Sequence, residues 1–96
     1  RQQEGGTHAD ELETSMMLYL DPQSVDMKKA VKDYHPGVSP LSRVPDPKRT
    51  YSASGVFGDA TLATREKGRA IVDAMVGRLV LEIADLRKAT PPAPRK

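Results

Sequence analysis

From Thr64 to the C-terminal prolines the chain repeats apolar residues at the spacing of one helical face, and this repeat constrains the fold more than any other feature. Ile71, Ala74, Met75, Leu79, Ile83 and Leu86 make the stripe, and Val72, Val76 and Val80 widen it. With Thr64 as N-cap, the pattern predicts a helix of about 24 residues, about 36 Å long at the α-helical rise. Gly68 and Gly77 inside it cost about 1 kcal/mol each relative to alanine, so close approach of another backbone is expected there. Such a stripe needs a broad apolar partner. The chain hardly supplies one: it is 96 residues long, with three Tyr, one Phe and no Trp. A domain of that size buries only about 60–65% of the surface of its unfolded chain.

The remaining elements are short. Arg1 to Gly6 is polar, and Gly5-Gly6 makes a flexible approach to a first helix. Thr7 is the expected N-cap of that helix, with Asp10 in place of the usual glutamate of a capping box. Asp10, Glu11 and Glu13 put negative charge where the helix dipole favours it, Leu12, Met16, Met17 and Leu20 give a stripe, and Pro22 stops the helix near Asp21. Asp26 to Lys32 reads as a short second helix capped by Asp26, with Met27, Ala30 and Val31 on one side. Tyr34 to Thr50 carries Pro36, Pro40, Pro45 and Pro47, a spacing that opposes both helix and sheet and predicts an extended arm. A short strand is expected around Val56 and Phe57, closed by Gly58-Asp59. Pro91, Pro92 and Pro94 with Arg95 and Lys96 read as a disordered tail, residues 91–96, after a single unit of residues 1–90.

Composition removes several function classes. The 15 basic and 13 acidic residues leave a net charge of +2, and the basic residues are scattered from Lys28, Lys29 and Lys32 through Arg43, Lys48 and Arg49 to the tail. Nucleic-acid binding would call for a concentrated basic face with stacking aromatics, so no nucleic-acid partner is expected. The chain has no cysteine, which rules out disulfides and thiolate metal sites and fits a reducing cytoplasm. Its apolar runs are too short for a membrane span or a signal peptide. A start at Arg1 reads as a processed, cleaved or partial chain.

For chemistry, His8 is the first candidate. Glu11 lies three positions on and Ser15 seven on, so a helix would place all three on one face. Histidine changes charge near neutrality and serves as a general acid or base, with Glu11 or Glu13 able to orient it. A His-x-x-Glu spacing alone is more often a solvated structural pair, and it is not the H-E-x-x-H of zinc proteases. His35, beside Pro36, is either solvated or a contact to substrate or a neighbouring subunit. Ser52 and Ser54 form no G-x-S-x-G elbow. The Gly55 to Asp59 run either offers amides to an anion or is a turn, and Asp21 and Asp26 are best explained as helix ends.

Two blocks together resemble the creatininase family. The run from Thr7 to Leu18, THADELETSMML, is similar to that family's H-A-G-E-x-E-T-S signature. The run from Gly55 to Gly68, GVFGDATLATREKG, resembles its later G-V-x-G-D-P-x-x-A-T-x-E-K-G block, in the same order. The resemblance covers roughly Thr7 to Leu86. It implies the C-terminal portion of a three-layer α/β/α fold, this segment being mostly helical with one or two short strands and a long proline-rich loop. It also implies a metal-dependent amidohydrolase, usually hexameric, that cleaves a C–N bond of a cyclic amide or related small molecule with two divalent ions (zinc, manganese or iron), typically about 3.5–4 Å apart in paired-metal sites. By resemblance His8 is the proton-shuttling histidine beside the metals, Glu13 the signature's most regular carboxylate, supporting the site, and Glu11 a more variable position. The family's metal ligands come from an earlier E-x-H motif, a following aspartate and a later His/Glu pair, none of which has a counterpart here, so the N-terminal half of the fold is the implied partner. Asp10 stands where the signature has glycine and Ala60 where the second block has proline, and the tryptophan that covers creatinine in creatininase proper is missing. The competing reading is a catalytically inactive module that binds a partner through its long amphipathic helix.

Overall fold

The computed structural model describes all residues except 37–40, 43 and 95–96. Two α-helices dominate: α1, Glu11–Leu20, and α2, Arg65–Lys88. Between them lie four two-residue strands, β1 (Lys32–Asp33), β2 (Leu41–Ser42), β3 (Thr50–Tyr51) and β4 (Gly58–Asp59). β1 pairs antiparallel with β4, and β2 pairs parallel with β3. This mixture of helix and short strand agrees with an α/β class.

The long helix forms as its periodicity requires. It is 24 residues long, and the Thr64 side chain accepts from the Lys67 amide as N-cap. The start of α1 differs from expectation. Its N-cap is Asp10, not Thr7, with Asp10 Oδ1 accepting from the Glu13 amide at 3.0 Å. Glu13 Oε2 reaches back to the Ala9 amide at 2.6 Å, one residue before the cap, so a variant of the capping box forms three residues later than a Thr7 cap would place it. The reason lies upstream, where Thr7 and His8 are held extended by pairing to Phe57 and cannot turn into helix. The chain reaches helical geometry only after Ala9, whose φ of 47° makes the bend.

At its other end α1 stops at Leu20, with Asp21 as C-cap followed by Pro22. The short second helix shrinks to a 3₁₀ turn, Met27–Lys29, capped by the Asp26 side chain. Three residues cannot sustain an α-helix against the strand pairing that begins at Lys32. The strand expected near Val56 and Phe57 lies slightly further along: Phe57 makes an isolated bridge to His8, and Gly58-Asp59, expected as a closing turn, is itself β4. The 34–50 arm departs from the expectation that its prolines oppose sheet: Leu41–Ser42 pairs with Thr50–Tyr51, because Pro45 and Pro47 fall between the two short strands and leave both their donors, while residues 37–40 and 43 lie outside the described set. Residues 91–94 carry no regular structure and are exposed, and the expectation for Arg95 and Lys96 also lies outside the described residues.

α1 crosses the first turns of α2 at Gly68, where an added Cβ would overlap the Ser15 carbonyl. Arg65 sits over the Tyr19 ring at 5.3 Å, closing the same contact. Gly77 is different, since a Cβ there would meet nothing within 4 Å. Beyond the reach of α1 the apolar stripe stands open, with Met75, Val76, Leu79, Val80, Ile83 and Leu86 all exposed. Among the described residues the buried apolar side chains are only Ala60 and Ala63, whereas Gln3, Asp10, Glu11, Ser15, Thr50, Ser52 and Asp59 are buried and polar. The radius of gyration, 17.8 Å, exceeds the roughly 12–13 Å of a compact chain this long. The interior is therefore a hydrogen-bonded junction between two helix starts, and among the described residues no closed apolar core surrounds it.

Candidate functional site

That junction is built around Gln3. Its Oε1 accepts from the Glu11 amide at 3.0 Å and from the Asp59 amide at 2.9 Å, while its Nε2 donates to Asp10 Oδ2 at 2.7 Å. One buried amide side chain thus ties the N-terminal segment to the start of α1 and to β4, satisfying two backbone donors that would otherwise be lost in the interior. Asp59 in turn caps the following turn through the Thr61 amide and hydroxyl.

Glu11 is fully buried, 0% exposed. Its carboxylate accepts from the Gln2 amide at 2.7 Å, from the Gln3 amide at 2.9 Å and from Lys67 Nζ at 2.8 Å. Lys67 also donates to Gln2 Oε1 and to the Leu62 carbonyl, so its three N–H bonds are all used. Burial pushes the Glu11 carboxyl up, but the Lys67 ammonium and the Gln3 and Gln2 amides outweigh it and hold it at about 2, below the usual 4.5. Ser15, also fully buried, accepts from the Thr64 amide at 3.1 Å.

His8, Glu11 and Ser15 therefore do not share a helix face. His8 stands in the extended segment before α1, while Glu11 and Ser15 are turned inward to the start of α2. The His8 backbone is firmly held: its amide donates to the Phe57 carbonyl at 3.2 Å, its carbonyl accepts from the Phe57 amide at 2.8 Å, and the Thr7 amide shares the Phe57 carbonyl at 2.9 Å. The residue itself is exposed, and no described residue hydrogen-bonds the imidazole. Glu13 is exposed and engaged at Ala9, one residue from His8. A groove of about 350 Å³ opens on this side, lined by Ala9, Glu13, Thr14, Met17, Ser24, Val25 and Asp26.

A second polar cluster closes the base of the proline-rich arm. Asp33 Oδ2 accepts from Ser54 Oγ at 2.5 Å and from Ser52 Oγ at 3.1 Å, and these hydroxyls, Ser54 first, with His35 nearby, hold the Asp33 carboxyl below its usual range. The Ser52 and Ser54 hydroxyls are thus spent on structure. Four amides of the Gly55 to Asp59 run are occupied too, leaving these four no anion-binding role: Gly55 donates to Ser52 Oγ, Val56 to Ser54 Oγ, Phe57 to the His8 carbonyl and Asp59 to Gln3. His35 is exposed, its ring edge-on to Phe57 at 6.2 Å.

Among the described residues no three His, Asp or Glu side chains come together as a metal-ligand set. The carboxylates on the C-terminal side of His8 are already committed, Asp10 to Gln3 and the Glu13 amide, Glu11 to Lys67 and two amides, and Glu13 to Ala9. The described residues do not fit a metal centre. No helix of the described residues is long and apolar enough to cross a membrane.

Sequence reasoning overlooked Gln3 and Lys67. The available signal was the co-occurrence of the two blocks: Glu11 in the first and Lys67 in the second are the charges that dock one on the other. Comparison with known proteins places both blocks in one context. The family model for creatininase, described as creatinine amidohydrolase, matches residues 1–83. A creatinine amidohydrolase of Pseudomonas putida is 41% identical over 71 residues, which cover 72% of this chain and 26% of that relative. The chain thus spans about a quarter of the length of the curated relative it matches. No solved structure matches.

Proposed function

Since the chain belongs to the creatininase family, we propose that it forms the C-terminal portion of a three-layer α/β/α amidohydrolase that cleaves a C–N bond of a cyclic amide or related small molecule. The observation that carries this reading is the state of His8. Its backbone is pinned at the seam where the two family blocks meet, while its imidazole is exposed and free of hydrogen bonds to described residues. A side chain held so and left unused is placed to exchange a proton with a ligand.

In this role His8 accepts the proton of the attacking water and delivers it to the departing amide nitrogen, so that the C–N bond breaks without expelling an unprotonated amine anion. Glu13 keeps the turn before α1 in place through the Ala9 amide. Glu11 acts at one remove, by docking the N-terminal segment and Lys67. We assign the family's two divalent ions, zinc, manganese or iron, to residues outside this segment, together with the N-terminal half of the fold, and a homo-oligomer of complete domains, a hexamer in the family, is the expected assembly.

The test supplies an N-terminal portion of a creatininase-family protein in trans and assays hydrolysis of a panel of cyclic amides and formamides. Recovered hydrolysis that His8→Ala lowers by about 10²–10⁴-fold is the expected result. An unchanged rate in that variant removes His8 from the chemistry. The exposed apolar residues of α2 favour one other reading, an inactive module that binds a partner through that helix. It predicts partner capture with no hydrolysis under any pairing.

A further inference from the structure

The segment that carries His8 is gripped from two sides. On one side is the Phe57–Gly58 backbone, which supplies the three hydrogen bonds to Thr7 and His8 and lies so close that a Cβ on Gly6 would overlap the Phe57 carbonyl and the Gly58 Cα. On the other side is Tyr34, the first residue of the proline-rich arm. Its ring lies directly across Gly5, where a Cβ would overlap the phenol, and it packs against the Phe57 ring with centroids 5.1 Å apart and a 53° tilt. Such tilted pairs are among the preferred aromatic geometries. β1, pairing with β4, anchors the backbone just before Tyr34, and the Asp33 clamp on Ser52 and Ser54 holds the same point from the arm's other end.

We propose that Tyr34 is a positioning residue for His8: seated across Gly5 and against Phe57, it locks together the two backbone runs whose pairing places the imidazole. The proposal rests on the reading of His8 as the proton carrier, but the latch itself is testable without catalysis. The Tyr34 hydroxyl makes no hydrogen bond to a described residue, so the ring does the holding and phenylalanine suffices. Gly5 lies outside the left-handed region, so alanine there tests the seat of the ring and not backbone strain.

The experiment is amide hydrogen exchange by NMR on the 96-residue chain. In Tyr34→Ala the Thr7, His8 and Phe57 amides exchange about tenfold faster or more, while those of Thr14 in α1 and Gly68 in α2 keep their rates. Tyr34→Phe restores protection at all three. Gly5→Ala reproduces the loss with residue 34 untouched, and it decides the matter if Tyr34→Ala unfolds the chain throughout. Wild-type protection at Thr7, His8 and Phe57 in Gly5→Ala, or in a folded Tyr34→Ala, overturns the proposal. With hydrolysis reconstituted, Tyr34→Ala lowers kcat about tenfold or more at nearly constant KM, as misplacement of a catalytic group does, and Tyr34→Phe does not. If no pairing hydrolyses any amide, the hydrolase reading fails while the exchange result still judges the latch.

Discussion

A glutamate with no exposed surface is a costly group to keep charged, and Glu11 stays charged because Lys67 and two backbone amides meet it directly. Its carboxyl titrates at about 2 in the folded chain against 4.5 ordinarily, so the folded state prefers the ionised form. The stability this contributes is fully present above pH 4.5 and is lost as pH falls from there through about 2. Acid titration followed by circular dichroism should therefore show wild type losing stability in that window more steeply than Glu11→Gln. At neutral pH the same substitution leaves Lys67 short of its anion and should cost about 2 kcal/mol in urea denaturation, in the range for breaking a largely buried pair. A variant as stable as wild type at pH 7 would show that the pair adds nothing net. Sequence spacing had set Glu11 beside His8 on a helix face. That arithmetic fails because it presumes His8 is helical, and pairing with Phe57, 49 positions on in sequence, keeps it extended.

Among the elements, α2 was the most legible, and both its start at Thr64 and its extent follow from local rules of capping and periodicity. Its two glycines separate what is local from what is not. From sequence they look alike, each costing about 1 kcal/mol against alanine. In the structure Gly68 lies against the Ser15 carbonyl and Gly77 faces open space. Gly77→Ala should stabilise the chain by about 1 kcal/mol through helix propensity alone. Gly68→Ala should destabilise it by about 1–3 kcal/mol despite the same gain, because α1 must move away and the hydrogen bond that the Thr64 amide donates to Ser15 Oγ goes with it. Chemical denaturation of the two variants side by side checks the pair of signs, and two stabilising results would refute the crossing. The four short strands were less legible. Two-residue ladders leave no period in a sequence, and only the partner strand reveals them.

At the level of the whole molecule the unequal halves of α2 matter most. Its first turns are covered by α1, whereas Met75 is 51%, Leu79 52% and Leu86 74% exposed. A surface substitution there is expected to be nearly neutral in this chain, so Leu79→Glu should change its stability by no more than about 0.5 kcal/mol. If the remainder of a creatininase-family domain covers that face, the same change should prevent recovery of hydrolysis in trans, and full recovery would show that the face is not part of the assembled enzyme. The sequence by itself determined the long helix, its cap, the proline stop of α1 and, through two motif blocks, the family, because each depends on residues near one another in the chain. Only the tertiary structure decided that the blocks dock through Gln3, Glu11 and Lys67, that His8 is extended, and that Tyr34 lies over Gly5. Those contacts join residues up to 56 positions apart, and hydrogen bonds and ring contacts at that separation leave no periodic trace for sequence reasoning to follow.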